Sequence, residues 1–264
     1  VDAPQMNRRS LLRWFGSGGA AVAFAGTVRA ANPPKAGGIF FNVRDQGATG
    51  DGETMDTAAL QAAIDACAAG GGGTVCFPAG TYLSGTLVLK SHVTLHLDAG
   101  ATLLGSPDPK HYPPQRPAVR SYTDNYVSQA LIVGEDLRHV SLRGSGTIDG
   151  NGGAFRWKEY RDRPYVIRLV KCQDVLVEGL TLRDSPMWMQ HYLACDRVCI
   201  RRLRVFNHAT YNNDGIDIDG CHDVTISDCI IDSDDDALCL KSTLDRACEN
   251  VVITNCVLSS HCNA

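Results

Sequence analysis

The stretch Cys172-Gln173-Asp174-Val175-Leu176-Val177 returns three times in variant form, beginning at Cys195, Cys221 and Cys248. The steps from 172 to 195, from 195 to 221 and from 221 to 248 are 23, 26 and 27 residues. Repeats of this length indicate a stacked architecture, and the short alternating β-branched segments favour strands over helices. We therefore predict an all-β fold, a right-handed single-stranded parallel β-helix spanning residues 32–264.

The repeated cysteines would occupy one equivalent position on each coil. Because coils stack about 4.8 Å apart, their sulfurs would form a column. Cys229 and Cys256, again 27 residues apart, would form a second short column. We interpret both as small apolar side chains in the core, since no Cys-x-x-Cys pair supports zinc binding. The total of eleven cysteines is odd, so they cannot all pair as disulfides within the chain.

Residues before the first coil would cover its exposed edge. Phe40 to Val43 form a candidate strand, Asp56 can cap a helix, and Gly70 to Gly73 would end it. Apolar residues recur at helical spacing between these points, at Leu60, Ala63, Ile64 and Cys67. At the other end no cap precedes Ala264, so the sequence predicts that C-terminal coils are missing.

The first residues resemble an export signal. Arg8-Arg9 precede an apolar run from Gly16 to Gly26, and Val28-Arg29-Ala30 resembles a cleavage site. We predict a twin-arginine signal peptide over residues 1–31, with a periplasmic or extracellular mature protein. The run is too short to span a bilayer, so no membrane anchor is expected. The net charge of −4 argues against nucleic acid as a partner.

Carboxylates cluster at coil spacing in the second half of the chain. The step from Asp214 to Asp236 is 22 residues and the step from Asp236 to His261 is 25, with Asp235 adjacent. These residues would lie on one face of successive coils. Close carboxylates raise the pKa of at least one member, and a protonated acid beside ionised partners can hydrolyse glycosidic bonds.

Other aspartates have simpler interpretations. Asp174, Asp223 and Asp228 are typical of turns between strands. Asp217 and Asp219 alternate with apolar residues and so would point outward from their strand, where a structural role is favoured.

The order Asn213-Asp214-Gly215-Ile216-Asp217, Asp235-Asp236 and His261 resembles glycoside hydrolase family 28, the polygalacturonase family. The segments Asn42 to Gly52 and Ser185 to Trp188 also fit the resemblance. It implies an inverting glycosidase in which Asp235 is the general acid. By the same resemblance, Asp214 and Asp236 would hold and deprotonate the attacking water, and His261 would help to set the protonation of the acid.

The sequence departs from the family pattern at several positions. Asn213 stands where the family usually has Thr, Ala237 follows the aspartate pair in place of Cys, and Ser260 and Cys262 flank His261 in place of glycines. The family's Arg-x-Lys motif, which binds the substrate carboxylate, would lie beyond Ala264. A preference for galacturonate is therefore not supported by the sequence.

The resemblance implies an acidic, pectic polysaccharide as the partner, bound by a monomer without cofactor or metal. Candidate substrate-binding residues are Lys241, Trp188, His191 and Tyr211, and Trp157 could also stack on a sugar ring. Two alternatives stay open. One is a calcium-dependent pectate lyase on the same fold, with oxygen ligands from Asp214, Asp234, Asp235 and Asp236. The other is a carbohydrate-binding protein without catalysis.

Overall fold

The computed structural model describes residues 40–125, 127–155 and 159–264. Its strands form three sheets in which every neighbouring pair is parallel. Successive strands along the chain belong to different sheets, and each strand pairs with its counterpart one coil away. The right-handed parallel β-helix predicted from the repeats is confirmed. The predicted signal peptide, residues 1–31, lies outside the described residues.

The first sheet has eight strands: Phe40–Asn42, Gly73–Phe77, Val93–Leu97, Arg138–Gly144, Gln173–Glu178, Asp196–Arg201, His222–Ser227 and Glu249–Thr254. The second sheet also has eight: Asp51–Met55, Gly80–Ser84, Ala101–Gly105, Thr147–Asp149, Thr181–Arg183, Arg204–Asn207, Ile230–Ser233 and Val257–Ser260. The third sheet has six: Leu87–Val88, Ala130–Glu135, Tyr165–Val170, Gln190–Leu193, Ile216–Asp219 and Leu238–Lys241. Short 3-10 helices occur in the connections, at Val43–Gln46, Pro109–His111, Tyr122–Asn125, Gly152–Ala154 and Tyr160–Asp162.

The core consists of residue columns inside the coils. Val175 pairs in register with Val140 and Val198, and Val224 pairs with Val198 on the following coil. The cysteines beside this valine column belong to the same core, as predicted, and all eleven cysteines of the chain are free. Stacking of identical side chains thus explains the repeat seen in the sequence.

The aspartates predicted to lie in turns share a left-handed backbone conformation. Asp174, Asp223 and Asp228 have φ between 57° and 58°, in the left-handed region. Asp174 and Asp223 share one column with Arg197, which has φ of 53°. Short polar side chains tolerate this conformation better than most residues. Asp228 lies at a bend directly after its strand, as predicted, but Asp174 and Asp223 are the second residues of strands, so the turn assignment is wrong for these two.

The capping helix runs from Thr57 to Ala69 and buries its predicted apolar stripe, and Gly70 follows it. Asp56 occupies the position before the helix, but the expected cap is wrong because its side chain makes no capping hydrogen bond. Its carboxylate instead accepts hydrogen bonds from the backbone N–H groups of Thr49 and Gly50, at 2.7 and 2.9 Å. The aspartate therefore fixes the preceding turn. Within the described part of the chain, no helix has the length and apolar character needed to cross a membrane.

Candidate active site

The carboxylate cluster lies where two neighbouring strands of the third sheet begin. Ile216 pairs with Leu238, so Asp214 and Asp236 each lie two residues before equivalent positions on adjacent coils. The backbone N–H of Gly215 donates to the carbonyl oxygen of Asp236 at 2.9 Å, which continues the ladder into the loop. The predicted alignment on one face is therefore present. A Cβ at Gly215 would lie 2.4 Å from the Ala237 carbonyl oxygen, so this close approach requires glycine.

Asp214 is the most enclosed member of the predicted catalytic group, with 3% of its surface exposed. Its backbone carbonyl accepts hydrogen bonds from the Asn207 side-chain amide at 2.9 Å and from the Met189 N–H at 2.9 Å. Burial raises the pKa of the Asp214 carboxyl to about 7, against the lowering effect of Lys241 and with a further contribution from Asp235. The group can therefore change protonation state near neutral pH.

Lys241 sits at the centre of the cluster. Its Nζ lies 3.6 Å from Asp214 Oδ2, 3.1 Å from Asp217 Oδ1 and 3.7 Å from Asp236 Oδ2. Its side chain is 15% exposed, and Nζ lies 4.6 Å from the centre of the Trp188 ring. Burial disfavours the charged ammonium, but Asp217 and Asp214 outweigh burial and raise the pKa of Lys241. The lysine therefore acts as the internal counter-ion of three carboxylates.

Asp217 belongs to the cluster although its sequence position indicated only an outward structural residue. It does point away from the coil interior, yet it is fully buried. Burial, together with the charge of Asp214, raises the pKa of Asp217 well above its ordinary value. The sequence did contain a signal for this role, because Asp217 lies three residues after Asp214, one coil from Lys241.

Asp235 and Asp236 face the open side of the cluster and are half-buried. The backbone carbonyl of Asp235 accepts hydrogen bonds from the Ser233 and Ser260 hydroxyls at 2.8 and 2.6 Å. The Asp236 carboxylate accepts one from the Asn263 side-chain amide at 2.7 Å. These bonds fix the backbone at the aspartate pair and leave the Asp235 carboxylate near the surface.

His261 lies at the edge of the cluster. Its side chain is 72% exposed, and its Nδ1 is 3.1 Å from Asp234 Oδ1. Its ring centre is 5.1 Å from that of His208. The structure therefore places the imidazole beside Asp234 and His208, one coil beyond Asp234 and two coils beyond the Asp214 motif.

Asn213, which departs from the family pattern, anchors the loop that carries Asp214. Its side-chain amide donates to the carbonyl oxygens of Ser185 and Met187 at 2.8 and 3.0 Å. Its Oδ1 accepts from the Thr210 N–H at 2.6 Å. All three bonds are made to backbone groups, so the amide ties two loops together at the site.

The predicted substrate-binding residues fall into two groups. Trp188 is 7% exposed and packs against Tyr165 and His191, and His191 is fully buried with Nε2 3.2 Å from Asp219 Oδ2. Their neighbours include the Lys241 ammonium, 4.6 Å from the Trp188 ring centre, and the Asp219 carboxylate beside His191. Tyr211 is exposed, and the Arg163 guanidinium lies 4.0 Å from its ring centre. Trp157 lies outside the described residues.

The chain belongs to glycosyl hydrolases family 28, whose sequence profile matches residues 67–261. It is 36% identical over 220 residues to a probable polygalacturonase from Vitis vinifera, covering 76% of this chain and 44% of that protein. It is 39% identical over 130 residues to an exo-poly-alpha-D-galacturonosidase from Dickeya chrysanthemi, covering 46% of this chain and 20% of that protein. The chain thus spans less than half the length of these relatives.

A solved structure is similar in fold as well as sequence. The exopolygalacturonase of Thermotoga maritima superposes with a TM-score of 0.74 at 27% identity, covering 84% of this chain and 61% of that one. The likeness extends over most of the described β-helix. The site described above lies inside the region that matches the family.

Proposed function

We propose that this chain carries the catalytic centre of an inverting glycosidase that cleaves an α-linked acidic polysaccharide of the pectic type, polygalacturonan or rhamnogalacturonan. The observation that carries the proposal is the grouping of Asp214 and Asp236 around one ammonium with Asp235 beside them. Family membership and the printed names of the two curated relatives support the substrate class.

The proposed mechanism divides the work between the aspartates. Asp235, on the open side, donates a proton to the departing glycosidic oxygen. Asp214 and Asp236 hold a water molecule on the opposite face of the sugar and take its proton as the water attacks the anomeric carbon. A base with a pKa of about 7, as burial gives Asp214, is matched to proton transfer near neutral pH.

Lys241 then has a different role from the one predicted from sequence. Its ammonium is shared by Asp214, Asp217 and Asp236, so we propose that it sets the charge of the catalytic carboxylates rather than binding a substrate carboxylate. In the same way, we propose that Trp188 supports Lys241 from below. Tyr211 remains a candidate for direct contact with sugar.

The position of Lys241 also favours hydrolysis over the lyase alternative. A calcium-dependent lyase needs several carboxylate oxygens free to surround the cation. Here the Lys241 ammonium lies within 3.7 Å of oxygens from both Asp214 and Asp236, so bound calcium would meet a positive charge among its ligands. Export and a monomeric state stay predictions.

The test is release of reducing sugar from polygalacturonate and from rhamnogalacturonan, with and without EDTA. We expect release that survives EDTA and yields no unsaturated product, and we expect Asp235→Asn to reduce it by about 10²–10⁴-fold. Asp223→Asn is the matched control, because Asp223 is an exposed residue on a strand of the first sheet, whereas the cluster lies beside the third sheet, and the variant should keep full activity. EDTA-sensitive formation of unsaturated product would identify a lyase. Absence of turnover on both polymers would favour the alternative of a carbohydrate-binding protein without catalysis.

A further inference from the structure

His208, Asp234 and His261 form a column at the edge of the carboxylate cluster. Asn207, Ser233 and Ser260 pair in register at the ends of adjacent strands of the second sheet. The residue after each of these is His208, Asp234 or His261. The steps from 208 to 234 and from 234 to 261 are 26 and 27 residues, the same as the later steps of the cysteine repeat. Two imidazoles and a carboxylate are thereby stacked on three successive coils.

The potential ligand atoms of this column converge. One nitrogen of each imidazole and one carboxylate oxygen of Asp234 all lie within 4.8 Å of one another. The shortest separation is 3.1 Å, between His261 Nδ1 and Asp234 Oδ1. Zinc bonds to nitrogen and oxygen are about 2.0–2.2 Å, so ligands of one ion lie roughly 3–3.5 Å apart. Small side-chain rotations therefore suffice to place all three around an ion.

We propose that His208, Asp234 and His261 bind a divalent transition metal ion of the zinc type. Imidazole nitrogen favours zinc, nickel and copper over calcium and magnesium, and one carboxylate supplies negative charge. Asp232 Oδ1 lies 3.1 Å from His208 Nε2, so a second carboxylate can orient or join the site. The ion can enter from solvent, because His261 lies at the surface. Sequence reasoning predicted no metal.

A second histidine pair provides an internal comparison. His92 and His139 also stack on neighbouring coils, with ring centres 5.2 Å apart, and Asp174 Oδ2 lies 3.6 Å from His139 Nδ1. In the described part of the chain, however, only two groups of three ligand atoms converge within 4.8 Å. They are the proposed site and the neighbouring group Asp235, Asp236 and Cys262.

The experiment is calorimetric titration of the substrate-free chain with Zn²⁺, with Ca²⁺ titrated in parallel. We expect one Zn²⁺ per chain, no binding of Ca²⁺, and at least about tenfold weaker Zn²⁺ affinity in His208→Gln and in Asp234→Asn. His139→Gln and Cys262→Ser should keep the wild-type affinity. Circular dichroism of each variant checks the fold, and Asp234, being partly exposed, is the safer of the two ligand substitutions.

Three results would overturn the proposal. These are absence of Zn²⁺ binding, unchanged affinity in both His208→Gln and Asp234→Asn, and loss of binding in Cys262→Ser, which would assign the ion to the aspartate pair and the thiol. Replacing Zn²⁺ by Co²⁺ gives an independent readout, because thiolate coordination adds a sulfur-to-cobalt charge-transfer band that nitrogen and oxygen ligands lack. The titration contains no polysaccharide, so its outcome is independent of the proposed hydrolysis.

Discussion

The cysteine column inside the coils and the carboxylate cluster outside the third sheet are both produced by stacking, but with opposite electrostatic consequences. The thiols of Cys195 and Cys221 donate to backbone carbonyl oxygens at 3.4 and 3.2 Å and carry no charge. In the cluster, the buried Asp217 Oδ1 has the Lys241 ammonium 3.1 Å away, whereas Asp217 Oδ2 and Asp214 Oδ1 are buried without a hydrogen-bond partner among the described residues. A neutral column can repeat on every coil, whereas stacked carboxylates depend on a cation.

Removal of that cation should give the largest effect on the free energy of unfolding. Lys241→Met would leave Asp214, Asp217 and Asp236 without their shared ammonium. Removing one partner of a buried ion pair costs about 3–5 kcal/mol. Because Asp217 can take up a proton once the ammonium is gone, we expect the cost here to be about 3 kcal/mol. Urea unfolding at neutral pH measures it. Activity should fall as well, because the charge of the catalytic carboxylates changes.

Lys90→Met is the matched control for that prediction. Lys90 Nζ lies 3.9 Å from Asp65 Oδ1, and these side chains are 45% and 54% exposed. Exposed pairs contribute about 0–1 kcal/mol, so this variant should unfold almost as the wild type does. Equal destabilisation of the two variants would contradict the central role of Lys241.

The raised pKa of Asp214 predicts a pH-dependent effect of intermediate size. Its pKa is 3.8 ordinarily and about 7 in the fold, so the folded state binds the proton more tightly. Between those values the unfolded state releases the proton first, and stability therefore falls as pH rises and levels off above about 7. Asp214→Asn removes this loss. Within this range the variant should gain stability relative to wild type by up to about 1.4 kcal/mol for each unit of rising pH.

Parallel urea unfolding of wild type and Asp214→Asn across this pH range measures the difference, with Asp223→Asn as a control at an exposed strand position. A difference between wild type and Asp214→Asn that does not change with pH would show that Asp214 keeps an ordinary pKa. Since Asp214 is proposed to act on the attacking water, the more stable variant should also be the less active one.

The fold could be predicted because the interior columns appear directly in the sequence. Four successive coils repeat Cys and Val at a fixed offset, from Cys172 to Val251, and aspartates near the strand ends adopt the left-handed conformation. Pairing in register then follows from stacking the repeats. The capping helix was predictable for the same reason, since its apolar stripe has helical spacing.

The site could be predicted only in part, because its side chains are covered by residues from other coils. Alternation placed Asp217 outside the coil correctly, but its cover comes from other coils, including Lys241. His191 was predicted to touch substrate and is instead buried beside Trp188 and Asp219. Asp56 likewise bonds to a turn that precedes it rather than to its helix. Contacts of this kind depend on the paths of the loops, and the loop sequences do not repeat from coil to coil.

Shortening one side chain of the interior cysteine column should lower the free energy of unfolding by less than removing a charge from the carboxylate cluster does. Cys195 is fully buried, and Cys195→Ala removes only its sulfur, leaving a small cavity that costs about 1 kcal/mol. Cys199 lies on the strand that begins directly after Cys195, with its side chain half-buried on the outer face, so Cys199→Ala should cost less than about 0.5 kcal/mol. Urea unfolding of the two variants compares the interior and the outer face of one coil. A larger loss at Cys199 would mean that the outer face of the first sheet, and not its interior column, holds the coils together.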